Sequence, residues 1–156
     1  MRSSVTWLII IICLACLLPN SASSAEEKAR DRHFIAYDNG VVHDTTTGLN
    51  WIAGPDKDTR FEEAKAWVES LKIDGSVCRM PTSKELKSLY ERDAWPMNMT
   101  SLLKAKRDPV GWWVWTGETR DTGQARVFDF FRKRAYWNQL SGSPDFGRGF
   151  AVCEQK

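Results

Sequence analysis

The chain has 156 residues, with 22 lysines and arginines against 20 aspartates and glutamates, a net charge of +2. Charge so nearly balanced argues against nucleic acid or a strongly anionic membrane as the main partner. Hydrophobic residues make up 42%, enough for a real core, and eight tryptophans are many for this length, although large aromatics serve cores and interfaces alike.

Residues 1–25 read as a secretory signal. Arg2 gives the positive start, Trp7 to Leu18 the apolar run, Pro19-Asn20 a break, and Ser23-Ser24-Ala25 the small residues of a cleavage site. The run is about 12 residues, short of the roughly 20 that a spanning helix needs, so no transmembrane segment is expected after cleavage. Leu14-Ala15-Cys16 also resembles the end of a lipoprotein signal, which makes a lipid anchor at Cys16 the competing expectation. Cys13 stands where such signals usually carry an aliphatic residue, and plain export to the periplasm or the extracellular space is preferred.

Cleavage after Ala25 takes 25 residues from 156 and leaves 131, one domain's worth, with one arginine fewer and no acid lost. Cys13 and Cys16 go with the signal, while Cys78 and Cys153 remain. An isolated pair in an exported chain is most simply a disulfide.

In chain order, residues 26–36 form an N-terminal leader and a first strand, the charged EEKARDR (26–32) reading as a frayed leader. The domain proper is expected over 37–156. Asp38-Asn39-Gly40 between two apolar runs predicts a hairpin. A turn at Gly48 and a short strand from Leu49 to Ile52 follow, ended by Gly54-Pro55-Asp56. Within DTRFEEAKAWVESLKIDG, residues Phe61, Ala64, Trp67, Val68 and Leu71 fall in one arc of about 120°, an amphipathic helix capped by Asp58 or Thr59. Thr82 and Glu85 form a T-x-x-E capping box for a second helix, with Leu86, Leu89 and Tyr90 as its apolar stripe. Residues 92–109 read as a long loop, and Asn98-Met99-Thr100 matches a glycosylation acceptor only in a eukaryotic pathway. GWWVWTGE, ARVFDFF, RAYWNQL and GRGFAVCEQ then read as strands. Strands, two helices, then strands indicate an α+β fold.

Four pieces in this order, DTTTGLNWIAG (44–54), CRMPTSKEL (78–86), WVWTGE (113–118) and GFAVCEQ (149–155), resemble the Lcl C-terminal domain family of bacterial exported domains, named after a collagen-like adhesin. The resemblance spans roughly residues 37–155. It implies a C-type lectin-like fold, in which two helices flank a looped, mainly antiparallel sheet and the terminal strands pair. This chain departs from the pattern twice: Cys78 replaces a tryptophan before Arg-x-Pro-Thr, and Ala151 replaces an arginine beside the terminal cysteine. The first departure suggests a staple between the second helix and the terminal strand.

The chemistry-bearing residues are few. A nucleophilic Cys78 would have Arg79 and a helix start beside it, with only His33 and His43 as imidazole bases, and the disulfide is the stronger reading. Ligand spacing for zinc is absent. Calcium is left open: Trp137-Asn138 resembles the ligand run of calcium-dependent lectins, but Gln139 closes it, and Asp121, Asp129 and Asp145 read as solvated or turn-capping side chains. No cofactor and no catalytic residue is assigned.

The expected function is that of an exported, non-catalytic binding module for glycans or an anionic polysaccharide at the envelope. The rivals are an accessory protein that binds another envelope protein and an enzyme using Cys78. The ligand candidates are Trp112, Trp113, Arg132, Lys133, Arg134, Tyr136 and Trp137, because aromatic faces stack on sugars and guanidinium forks suit carboxylates and sulfates. Against this stands a plain alternative, a charged hairpin turn above ordinary core aromatics. Alternation along GWWVWT puts Trp113 and Trp115 on one face and Trp112 with Val114 on the other, with Trp115, like Trp51 and Trp67, expected in the core.

Overall fold

In the computed structural model, which describes residues 25–73, 75–92, 94, 98–103, 113–121, 123–141 and 147–154, Asn39 and Gly40 turn the chain as their dipeptide predicts. Gly40 sits at φ 85°, a left-handed conformation that suits glycine. The turn joins strands β2 (Phe34–Tyr37) and β3 (Val42–Asp44), which pair antiparallel. β3 leads to β4 (Asn50–Ala53) through a turn built by Asp44. Its buried carboxylate accepts from the Thr46 N–H at 2.9 Å and the Thr47 hydroxyl at 2.6 Å. Gly48, at φ 75°, completes the reversal and delivers Trp51 to the core with no exposure. The D-x-x-T-G-L-x-W run is therefore a turn-and-anchor device.

Helix α1 (Phe61–Ser70) buries Phe61, Ala64 and Val68, as its periodicity requires. Arg60, not Asp58 or Thr59, stands at its N-cap, without a side-chain cap. Thr59 is instead drawn into a bridge with Gly147, its hydroxyl donating to the Gly147 carbonyl at 2.7 Å. Trp67 is half-buried against Gly54 and Gly149, less enclosed than expected. Strand β5 (Val77–Arg79) precedes helix α2 (Ser83–Ser88), and strands β6 (Trp113–Arg120), β7 (Gln124–Asp129), β8 (Arg134–Gln139) and β9 (Phe150–Glu154) follow.

The charged 26–32 stretch is not frayed. It forms strand β1 (Glu27–Asp31), paired with β2 at the edge of the sheet, where charged side chains meet water on both faces. Its end is tied down: the Asp31 carboxylate accepts from the Thr100 hydroxyl at 2.8 Å and the Ser101 N–H at 3.0 Å. These bonds hold its pKa below the ordinary carboxylate value.

The strands make a six-stranded sheet in the order β1-β2-β3-β4-β9-β5 and a three-stranded sheet β6-β7-β8, every named pairing antiparallel. The fold is α+β, with both helices on these sheets. The terminal strand β9 lies between β4 and the edge strand β5, so the chain's last strand is enclosed within the larger sheet. Cys78 of β5 lies directly opposite Cys153 of β9, and the two form a disulfide with sulfurs 2.01 Å apart. The staple thus joins two strands rather than helix to strand; residues 77–79 form a strand, not merely a turn into α2.

Two core clusters lie on opposite faces of the three-stranded sheet. One contains Trp51, Leu86, Val114, Phe128 and Phe150, the other Phe61, Val68, Trp115, Val127 and Cys153. Because both faces are covered, neighbours Val114 and Trp115 are both buried while Trp113, at the strand's end, is 37% exposed. Simple in-and-out alternation fails here for that reason. Arg148 closes the seam. It is buried, donates to the carbonyls of Gly54 at 2.6 Å and Leu103 at 3.3 Å, and burial lowers its pKa.

Candidate functional site

The capping box at α2 is complete. The Glu85 N–H donates to the Thr82 hydroxyl at 3.2 Å, and the Thr82 N–H donates to the Glu85 carboxylate at 2.7 Å. Arg79 grips the same carboxylate with two nitrogens, at 2.9 and 2.6 Å, and reaches Glu154 at 3.1 Å. The Arg79 guanidinium, with the Thr82 N–H, pulls the Glu85 carboxyl from 4.5 down to about 2. A depressed carboxyl contributes stability above its unfolded pKa and loses it as pH falls through the folded one. Wild type should therefore outlast Glu85→Gln near neutral pH, and the gap should close between pH 4.5 and about 2. Urea unfolding across that range measures it; a gap that stays constant would show that Arg79 and the cap do not hold the charged form.

Glu118 of β6 fixes α2 from the other side. Its carboxylate accepts from the Ser83 hydroxyl, from the Ser83 N–H at 3.2 Å and from the Thr116 hydroxyl at 3.2 Å. This ridge separates two grooves. One, of about 500 Å³, runs between α2 and the β7–β8 hairpin, with Lys84, Lys87, Arg126, Lys133 and Arg134 around it and Phe128 and Ala135 at its base. Glu118 is, among the described residues, its one acid, already engaged by the two hydroxyls. Among the described residues, Lys84, Lys87, Lys133 and Arg134 have no carboxylate partner, and Arg126 reaches only Glu118, at 3.6 Å. A dense set of cations with little counter-charge is an anion-binding arrangement.

The hairpin turn is shaped by Asp129, fully buried, which accepts from the N–H groups of Phe131 at 2.8 Å and Arg132 at 3.0 Å. Lys133 takes φ 55°, a left-handed conformation costing a lysine about 1 kcal/mol. Its ammonium lies 4.3 Å from the Tyr90 ring centre.

The structure sorts the sequence candidates into separate places. Lys133 and Arg134 line the basic groove, but the Arg134 guanidinium is turned to the other face of the sheet. Arg132 does not; it is paired with Asp129 at 2.9 Å. Trp137 is half-buried, with the Arg120 guanidinium 3.8 Å and that of Arg126 5.3 Å from its ring, so cations already occupy its neighbourhood. Tyr136 points to the opposite face, beside the second core cluster, with Arg134 5.0 Å from its ring. Trp113 begins β6 opposite Asp129, level with the hairpin turn but not in the groove lining, and Trp112 lies outside the described residues. Sequence reasoning missed Lys84, Lys87 and Arg126. The first two stand three apart on α2, hence on one face, and Arg126 breaks the apolar run of β7; those were the available signals.

The second groove, of about 560 Å³, is mainly apolar, with Phe61, Val68, Met80 and Cys78 in its wall. Cys78 is bonded to Cys153, so no thiolate stands there. His43 Nδ1 lies 2.8 Å from the Asn50 amide oxygen and His33 Nε2 lies 3.6 Å from Asp44, both in the sheet of the N-terminal strands. Among the described residues, no group of three or more histidines, cysteines or acids is placed to hold a metal ion, and no helix is long and apolar enough to cross a membrane. Of the acids weighed for calcium, Asp129 is the turn cap, Asp121 is exposed between β6 and β7, and Asp145 lies outside the described residues.

An antiparallel-sheet domain closed by a β5–β9 disulfide and carrying a basic groove is the class of protein defined so far. Residues 40–148 match the Lcl C-terminal domain, and the chain belongs to that family. The GFAVCEQ segment lies beyond the matched range. No curated protein and no solved structure matches the chain.

Proposed function

We propose that this protein is an exported, non-catalytic binding module of C-type lectin-like architecture that recognises an anionic polysaccharide at the cell envelope. The observation that carries this is the groove between α2 and the β7–β8 hairpin, with five basic residues in its lining, four of them directing their charge to it, and, among the described residues, one engaged acid. The ligand is held by charge rather than by sugar stacking, since Arg120 already lies against the ring of Trp137. Export is supported by the Cys78–Cys153 disulfide, which persists in oxidising compartments. The lectin-like reading is supported by the terminal strand inserting between β4 and β5 and by the two flanking helices.

Exposed ionic contacts are worth on the order of 0.7 kcal/mol each. Changing Lys84, Lys87, Arg126 and Lys133 together to alanine should therefore weaken binding to a polyuronate or sulfated glycan roughly a hundredfold at low salt. Arg132→Ala alone, outside the groove, should change little. Calorimetric titration at two salt concentrations is the test. A folded wild type that binds no acidic glycan, or a quadruple variant that binds as well as wild type, would defeat the reading.

A further inference from the structure

The two sheets have four edge strands; β6 is bridged to Arg148 and bonded to the Pro81 carbonyl, and the other three edges are unlike. β1 is guarded: four of its five residues are charged and its register shifts between Glu27 and Ala29. β5 is only three residues long. β8 is six residues long, pairs with β7 without a register shift, and carries one charge, Arg134, at its start. A long, regular edge of few charges is a template for another strand.

The phase of the ladder shows which groups are offered. The Leu140 N–H donates to the Gly123 carbonyl at 2.9 Å, continuing the β7–β8 register. In an antiparallel pair, inward-bonding residues alternate with outward ones. Arg134, Tyr136 and Asn138 thus bond to β7, while the N–H and C=O groups of Ala135, Trp137 and Gln139 point away from it. Among the described residues, none of these outward groups has a main-chain partner.

We infer that β8 receives an extended, acidic segment of a partner protein by strand addition. Charge selects this occupant. The approaching strand runs past Arg132, Lys133 and Arg134 at one end and past Arg120 and Arg126 over Trp137. Alternate glutamates or aspartates on it meet these cations while its backbone completes the ladder. A second copy is disfavoured, because an antiparallel self-pair about Trp137 brings two sets of Arg120 and Arg126 to the two-fold axis.

The variant that isolates the edge is Ala135→Pro. It removes an outward N–H and leaves the bonds to β7, the one setting in which a strand accepts proline. The probe is a blocked octapeptide of alternating valine and glutamate, titrated into the disulfide-bonded protein, with a valine–lysine octapeptide as control. The acidic peptide should slow hydrogen exchange at the amides of Ala135, Trp137 and Gln139, the lysine peptide should not, and Ala135→Pro should weaken binding by about tenfold or more. Exchange on wild type keeps the test decisive should Ala135→Pro fail to fold. Unchanged exchange at those three amides, undiminished binding by a folded Ala135→Pro protein, or self-association that blocks the peptide would each overturn the proposal.

Discussion

Replacing Cys78 and Cys153 together with alanine is expected to lower stability by about 4 kcal/mol. The bond closes a separation of 75 residues. On the chain-entropy argument, removing that constraint from the unfolded chain costs about 4 kcal/mol. The bond also clamps β5, a three-residue edge strand, to β9, the strand next to it in the larger sheet. Without it, β5 has three residue pairs with β9 to hold it and the entrance to α2. A domain of this size should lose about 15 °C in melting temperature. Thermal unfolding of the double variant beside wild type measures this, and a shift of only a degree or two would show the staple to be incidental.

The second large effect belongs to Trp115. It is 2% exposed, packs edge-on against Phe61 with ring centres 5.7 Å apart, and donates its indole N–H to the Thr59 carbonyl at 2.9 Å. The space beside it is filled to contact: a Cβ on Gly147 would lie 2.5 Å from the indole nitrogen. Trp115→Ala should cost about 3–5 kcal/mol as the cavity cannot collapse around fixed backbone. A milder pair of variants separates packing from hydrogen bonding. Trp51 is wholly buried, yet among the described residues its indole N–H has no acceptor. Trp115→Phe orphans the Thr59 carbonyl and should cost about 1–2 kcal/mol more than Trp51→Phe, which loses no bond. Chemical denaturation would show it; equal losses would mean that the Thr59 bond contributes nothing.

Much of the architecture was legible because it is locally encoded. Asn39-Gly40, Gly48 and the Thr82/Glu85 box each demand one backbone conformation, and each adopts it. The disulfide was legible from the expectation of export and from arithmetic, since only two cysteines follow residue 25. What stayed hidden depends on tertiary partners. β1 has no apolar periodicity because neither of its faces is buried, and its strand state comes from β2 and from Thr100 and Ser101. Thr59 looked like a cap and became a bridge to a residue 88 positions away. Trp113 and Trp115 share a side by alternation, but only Trp115 lies under α1. The basic site was half visible: Lys133 and Arg134 stand in a run, whereas Lys84, Lys87 and Arg126 join them only when α2 docks on the second sheet.

The central claim is that this groove is where an acidic glycan lands. The most direct measurement is an amide chemical-shift titration of the isotope-labelled protein with an oligouronate, at low and at high salt. The account predicts shifts concentrated at Lys84, Lys87, Arg126, Lys133 and Arg134 that fade as salt rises. Shifts gathered instead around Trp113 or the apolar groove at Phe61 and Met80, or shifts in the basic groove indifferent to salt, would contradict it.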